Sequence, residues 1–179
     1  MIVSGIEYEV ERVYLLDRMP DLPTSHERLQ LDQGYLVPPA DSTPGESPEG
    51  RVRATRFHDG STAFSHTIKR GMGLVREEQE RQITREEFER LWPLTSGRRL
   101  SKSRTRVSHG DLVWELDDFQ GFDLVLAEVE IPHPEFVFDP PEWLQPRILR
   151  EVTEDPAYRN YELARHLRGG DPDSDPQGR

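Results

Sequence analysis

Charged side chains stand at every second position in six separate stretches of this 179-residue chain, and that spacing limits the folds open to it. The first stretch is Glu7, Glu9 and Glu11, set around Tyr8 and Val10. Successive side chains of an extended strand point to opposite faces, so the three glutamates share one face about 7 Å apart. A row of like charges is costly unless something positive sits over it. The spacing returns in Arg51 and Arg53, in Arg76, Glu78 and Glu80, and in Lys102, Arg104 and Arg106. It returns again in Glu115 and Asp117, and in Glu128 and Glu130. On an open sheet such ladders would face water. In a closed barrel they can line a wet interior while apolar residues face outward onto covering elements. Six ladders of mixed sign weigh toward the barrel.

The punctuation between the ladders agrees with many short strands. Strands are expected over 6–16, 29–37, 51–58, 61–69, 73–83, 101–108, 112–119 and 124–131, eight in all. Asp59-Gly60 is a hairpin signal, and His109-Gly110-Asp111 and Gln120-Gly121 are further turns. Close spacing of this kind suggests a barrel or a sandwich. Helices are expected over 84–92, 140–144 and 156–167, the first opened by a capping box of Thr84 and Glu87. Between strands, 38–50 is a run of Pro, Gly, Ser and acid that reads as a mobile surface loop. The division expected is one domain over 1–168 and a disordered acidic tail over 169–179.

Composition removes several functions. The formal net charge of −11 argues against a general binder of nucleic acid or anionic membrane. No cysteine is present, which excludes disulfides, thiolate metal sites and thiol catalysis. No apolar run reaches the roughly 18 residues of a membrane span. Glu7 interrupts any leader-like apolar stretch, so the expectation is a cytoplasmic protein. His26, His58, His66, His109, His133 and His166 show no ligand spacing and read as ordinary surface or loop residues. Arg98, Arg99 and Arg106 read as surface charges, and Trp92, Trp114 and Trp143 as core packing.

An interior walled by both signs must hold something that satisfies both. Glu9, Glu11, Asp117, Glu128 and Glu130 supply the oxygen donors that suit a hard divalent cation, Mg²⁺ or Mn²⁺. Arg51, Arg53, Lys69, Arg76, Lys102 and Arg104 suit a polyanion, because guanidinium forks bind phosphate oxygens in pairs. A metal-loaded chain of phosphates would neutralise both walls.

The chain resembles the CYTH superfamily, the triphosphate tunnel metalloenzymes, over residues 6–167. The resemblance runs through Val10-Glu11-Arg12-Val13-Tyr14-Leu15, Gln33-Gly34-Tyr35-Leu36, Arg51-Val52-Arg53, Thr67-Ile68-Lys69 and Arg76-x-Glu78-x-Glu80. It continues through Phe88-Glu89-Arg90-Leu91-Trp92-Pro93, Lys102-Ser103-Arg104, Trp114-Glu115-Leu116-Asp117, Ala127-Glu128-Val129-Glu130 and Glu151-Val152-Thr153-Glu154-Asp155, with Tyr158 and Asn160. It implies an α+β fold: a closed eight-stranded antiparallel β-barrel, the triphosphate tunnel, with a few covering helices. It is nearest to short bacterial members that hydrolyse inorganic tripolyphosphate. It further implies a metal held by Glu9, Glu11, Glu128 and Glu130, phosphates held by Arg51, Arg53, Lys69, Arg76, Lys102 and Arg104, and attacking water oriented and deprotonated by a second metal or by a carboxylate such as Glu78, Glu80 or Asp117. The partner implied is a triphosphate-containing small molecule, with no nucleic acid and no membrane, and a homodimer is compatible with it.

One departure stands out. The family signature E-x-E-x-K places a lysine where this chain has Val13. Losing a charge-assisted contact there costs on the order of 1.5–3 kcal/mol. A slipped register, with Glu7 and Glu9 as the pair and Glu11 at the lysine position, deprives Arg12, Tyr14 and Leu15 of their family equivalents and is disfavoured. Three functions follow: a metal-dependent hydrolase of inorganic triphosphate; hydrolysis of thiamine or nucleoside triphosphate, or cyclisation of ATP; and a polyphosphate- or nucleotide-binding module whose catalysis has lapsed.

Overall fold

Every ladder lies on a strand, and the strands close on themselves. The computed structural model describes residues 7–37, 49–71 and 73–166. The expected tail over 169–179 and most of the loop expected over 38–50 lie outside the described residues. The strands are β1 (Glu7–Leu16), β2 (Glu27–Tyr35), β3 (Glu49–Arg56), β4 (Thr62–Arg70), β5 (Val75–Gln82), β6 (Arg99–His109), β7 (Leu112–Phe119), β8 (Val125–Glu130) and β9 (Ile148–Glu151). Two short helices, α1 (Arg85–Leu91) and α2 (Asn160–His166), complete the described elements together with 3-10 turns. The order is β5-β4-β3-β2-β6-β7-β8-β1, and β1 returns to β5, so eight antiparallel strands form a closed barrel.

Strand β1 is the closing stave. Its partners on one edge are all in β8, from Glu11↔Glu130 to Leu16↔Val125. Its other edge is divided: β5 pairs with Glu7 to Val10, and β9 pairs with Tyr14 to Leu16. Between them the backbone is satisfied by loops. Glu11 N donates to Leu74 O at 3.1 Å, Val13 N to Thr153 Oγ1 at 3.1 Å, and Val152 N to Val13 O at 2.8 Å. Strand β9 was not expected from the sequence; it is a four-residue run just after Pro146.

The alternation of β1 sets inside against outside. Val10, Tyr14 and Leu16 face away from the charges and join Val107, Trp114, Leu116, Ala127, Val129 and Leu144 in the larger apolar cluster. Trp114 is fully buried, with Tyr14 and Phe138 each 5.8 Å from its ring. Burial of one such side chain is worth about 1.5–3 kcal/mol. The cover over this face is irregular chain carrying Phe136, Phe138 and Trp143, not the helix expected over 140–144. The reason is local: Leu144 N and Gln145 N both bond Pro141 O, at 2.8 and 3.0 Å, which makes a single turn, and Pro146 lacks the donor that would extend it.

Helix α1 does form, with Thr84 accepting from Glu87 N at 3.1 Å and the Phe88 ring tilted against Phe64 at 4.8 Å. The Glu87 side chain pairs with Arg81 instead of completing the capping box. Arg99 is buried, a correction to its reading as a surface charge: it bonds Thr95 Oγ1 at 2.9 Å and Trp92 O at 2.7 Å and lies 4.4 Å over the Trp92 ring. That packing needs Gly34, because a Cβ there would meet Thr95 Oγ1 at 2.3 Å. The segment expected as a helix over 156–167 is a 3-10 turn, Pro156–Tyr158, followed by α2. Leu163 and Ala164 of α2 pack with Tyr35, Leu100, Phe119 and Leu126. The last three stand two residues from Lys102, Asp117 and Glu128, on the same strand faces, so α2 plugs one end of the interior with apolar side chains. Among the described residues no helix is long and apolar enough to cross a membrane.

Candidate active site

The barrel interior holds a cavity of about 260 Å³, walled by Glu9, Glu11, Glu78, Glu80, Glu128, Glu130, Arg51, Arg53, Lys69, Arg76 and Arg104. These eleven of the thirteen residues singled out from the sequence are therefore brought together. The register puts Glu9, Glu11 and Val13 on the wall in succession, as the unslipped alignment requires. Lys102 and Asp117 do not reach it; both side chains are fully buried and pair with each other. Ordinary small-molecule pockets run from roughly 300 to 1,000 Å³ and are mostly apolar. A smaller, charged cavity fits a compact ion instead. Beyond the glutamates a second cavity of about 390 Å³ shares Glu9, Glu11, Glu115, Glu128 and Glu130 with the first.

The cations differ sharply in how they are satisfied. Lys69 contacts Glu9 and lies 2.6 Å from Glu78. Burial works against its charge, but Glu9 and Glu11 outweigh that, and its pKa stands above the ordinary value. Arg51 reaches Glu80 at 3.2 Å and Thr67 Oγ1 at 2.9 Å. Arg76 pairs with Glu49 at 2.6 Å, and Arg159 holds the other oxygen of the same carboxylate. Arg104 grips Asp117 with two bonds, 2.7 and 2.6 Å, and also contacts Glu115 and Glu128. Arg53 has neither ion pair nor side-chain hydrogen bond among the described residues, and its Nε is sealed from solvent. Burial, then the charges of Arg51 and Arg104, bring its pKa down to about 10.

The acids divide in the same way. Desolvation works against Glu128 as an anion, but Lys102 and Arg104 overcome it and hold its pKa down to about 2. Glu80, against the pull of burial, is held low by Thr67, which donates at 2.7 Å, and by Arg51. Glu78 is likewise low, with Lys69 and Arg51 opposing its burial. Glu11 goes the other way: burial, then Glu128 and Glu9, push it well above the usual carboxylate range. Glu130 is raised by burial, Glu9 and Glu78. Neither Glu11 nor Glu130 makes a side-chain hydrogen bond or ion pair among the described residues. Crowded acids that push one another toward protonation create a demand for a further cation.

No three carboxylates among the described residues form a ready-made metal cage. Glu9 is drawn to Lys69, and Glu128 to Arg104 and to Asn160 at 3.2 Å. The donor set of the Glu9, Glu11, Glu128 and Glu130 wall nonetheless suits a hard cation, all carboxylate oxygen with two members uncompensated.

Several wall residues were not singled out from the sequence as site residues. Glu49 and Arg159 bridge β3 to the chain before α2, and Glu115 joins Arg104. Tyr35, Val152, Tyr158 and Tyr161 line the cavity near Val13. Glu115 already belonged to a ladder, so its spacing could have found it. Glu49 stands two residues before Arg51 on β3, so the same spacing reaches it, whereas Arg159 lies outside every ladder and only its contact in space joins it.

No family model matches the chain. The chain is 38% identical over 162 residues to an inorganic triphosphatase of Nitrosomonas europaea, covering 87% of this chain and 96% of that protein. The crystal structure of the inorganic triphosphatase NE1496 superposes with a TM-score of 0.58 at 36% identity, covering 88% of this chain and 94% of that one. A protein of Pyrococcus horikoshii, PH1819, shares the fold at a TM-score of 0.53 and 19% identity, covering 72% of this chain and 80% of its own.

Proposed function

Because the chain belongs to the inorganic triphosphatase family of the CYTH-type tunnel fold, we propose that it hydrolyses inorganic triphosphate inside the barrel, with Mg²⁺ or Mn²⁺ on the glutamate wall. The observation that carries this reading is Arg53, a cation at the cavity wall that makes no ion pair among the described residues. Burying an uncompensated charge is strongly unfavourable. An anion beside Arg53 relieves that cost, and phosphate oxygens match its planar fork.

Each side chain then takes a part. Arg53 and Arg51 would bind the phosphate chain, with Lys69, Arg76 and Arg104 completing the cationic side. Glu9, Glu11, Glu128 and Glu130 would hold the metal. When bound, a divalent ion there would draw charge from the phosphate oxygens. Glu78 and Glu80, kept ionised by their neighbours, would accept hydrogen bonds from the attacking water and orient it toward the terminal phosphorus. The bond to the remaining diphosphate breaks, and orthophosphate leaves. Asp117 and Lys102 stand behind the wall, so in this reading neither touches water or phosphate; Asp117 fixes Arg104.

The test is phosphate release from tripolyphosphate, ATP and thiamine triphosphate, each with Mg²⁺ and with Mn²⁺. Turnover of tripolyphosphate above the other two is the expected result. Preference for an organic triphosphate would overturn the substrate assignment. Tight binding of tripolyphosphate with no turnover would identify a binding module, a reading that Val13 on the cavity wall favours.

A further inference from the structure

Five side chains beside the cavity close into a ring. Lys102 contacts Asp117, Asp117 is gripped by Arg104, Arg104 contacts Glu128, Glu128 accepts from Asn160 Nδ2 at 3.2 Å, and Asn160 Oδ1 accepts from Lys102 at 3.0 Å. Four of the five come from barrel strands. Asn160 alone does not; it is the first residue of α2, the helix whose Leu163 and Ala164 plug the interior.

We propose that Asn160 is a positioning residue, delivered by the docking of α2, that fixes the Glu128 carboxylate for its work at the glutamate wall. The inference rests on the metal-dependent reading above and deepens it. Arg104 takes one oxygen of Glu128 and Asn160 the other, Oε1. Two donors on opposite oxygens define the plane of the carboxylate, and one alone would let it turn. The amide is suited to the task because it accepts from Lys102 and donates to Glu128 at once, which no carboxylate or aliphatic side chain can do. Groups that orient a metal ligand in this way typically matter ten- to a hundredfold for metal affinity or activity.

Two variants separate this role from mere helix anchoring. Asn160→Ala removes both bonds. Asn160→Asp keeps an acceptor for Lys102 but loses the donor toward Glu128. Mn²⁺ binding is titrated without substrate, and tripolyphosphate hydrolysis is measured beside it. Both variants should bind Mn²⁺ about tenfold more weakly and lose about ten- to a hundredfold in kcat, with KM for tripolyphosphate moving less than about twofold. Wild-type Mn²⁺ affinity in Asn160→Asp would overturn the proposal, since the acceptor alone would then suffice. Unchanged affinity in Asn160→Ala, in a wild-type background that binds Mn²⁺, would overturn it too and leave the metal reading standing. A wild-type chain that binds no Mn²⁺ would overturn both.

Discussion

Lys102 and Arg53 occupy the same kind of position in sequence, alternate members of basic ladders, yet they sit in opposite electrostatic circumstances. Lys102 is fully buried, paired with Asp117 and bonded to Asn160. Arg53 faces the cavity with no ion pair among the described residues. The same contrast divides the acids: Glu128 is compensated twice, while Glu11 is crowded by its own kind. One region of the interior has been neutralised from within the chain, and in the proposed function the other is left to a ligand. Closed ion networks hold the scaffold; open ones define what the scaffold is for.

The largest effect that could break this contrast concerns stability. Asp117→Ala leaves Lys102 and Arg104 buried with fewer counter-charges, and should cost about 3–5 kcal/mol, read from the urea midpoint. An unchanged midpoint would mean that the closed region is wet and the distinction empty. Arg53→Ala should do the reverse. It removes a cation that makes no ion pair among the described residues, so the urea midpoint should hold or rise, while kcat/KM for tripolyphosphate falls by about ten- to a hundredfold, equivalent to about 1.5–3 kcal/mol. A stability loss matching that of Asp117→Ala would show Arg53 to be structural.

Smaller effects sharpen the picture. Val13→Lys adds a cation beside Glu128, its cross-strand partner, and should raise turnover about tenfold, roughly 1.4 kcal/mol. An equal or lower rate would show the wall rebuilt around the valine. A final effect, opposite in sign for two acids, is on the pH dependence of stability in metal-free protein. Glu128, with a folded pKa of about 2 against 4.5 unfolded, stabilises above pH 4.5 and loses that contribution as pH falls toward 2. Glu11, raised on folding, contributes below its unfolded value and loses that contribution as pH rises through its folded pKa. Glu11→Gln should therefore gain stability near neutral pH, and Glu128→Gln should lose it. Equal shifts of the same sign in urea titrations would refute the division between the acids.

The barrel was legible because alternation is a property of the backbone. Charges at every second residue and outward Val10, Tyr14 and Leu16 between them leave little choice of inside and outside. Strand β9 was not legible. Ile148-Leu149-Arg150-Glu151 is too short to show a period, and it becomes a strand only because the second half of β1 offers an edge. The helix expected over 140–144 stops at a single turn, where Pro146 has no donor to extend it. Arg99 looked like its neighbours in a basic run, and only Thr95 folding back over Gly34 reveals its packing. Nor could spacing separate Asp117 from Glu128, or Lys102 from Arg104. Which ladder member meets the cavity depends on how far along the barrel axis it stands, and α2 sets that boundary from the far end of the chain.

The divided edge of β1 has a consequence for how the protein comes into being. Strand β1 finds its three partners in β5, β8 and β9, all later in the chain, the last of which ends at Glu151. Residues 7–10 can pair with β5 before half of the chain is made, but residues 11–16 wait for β8 and β9, and pairings so distant in sequence make for slow folding. An exposed strand in that state invites association with its own kind. The acids of β1 put like charge on every nascent copy, so Glu9 and Glu11, which line the finished cavity, also guard the unfinished chain.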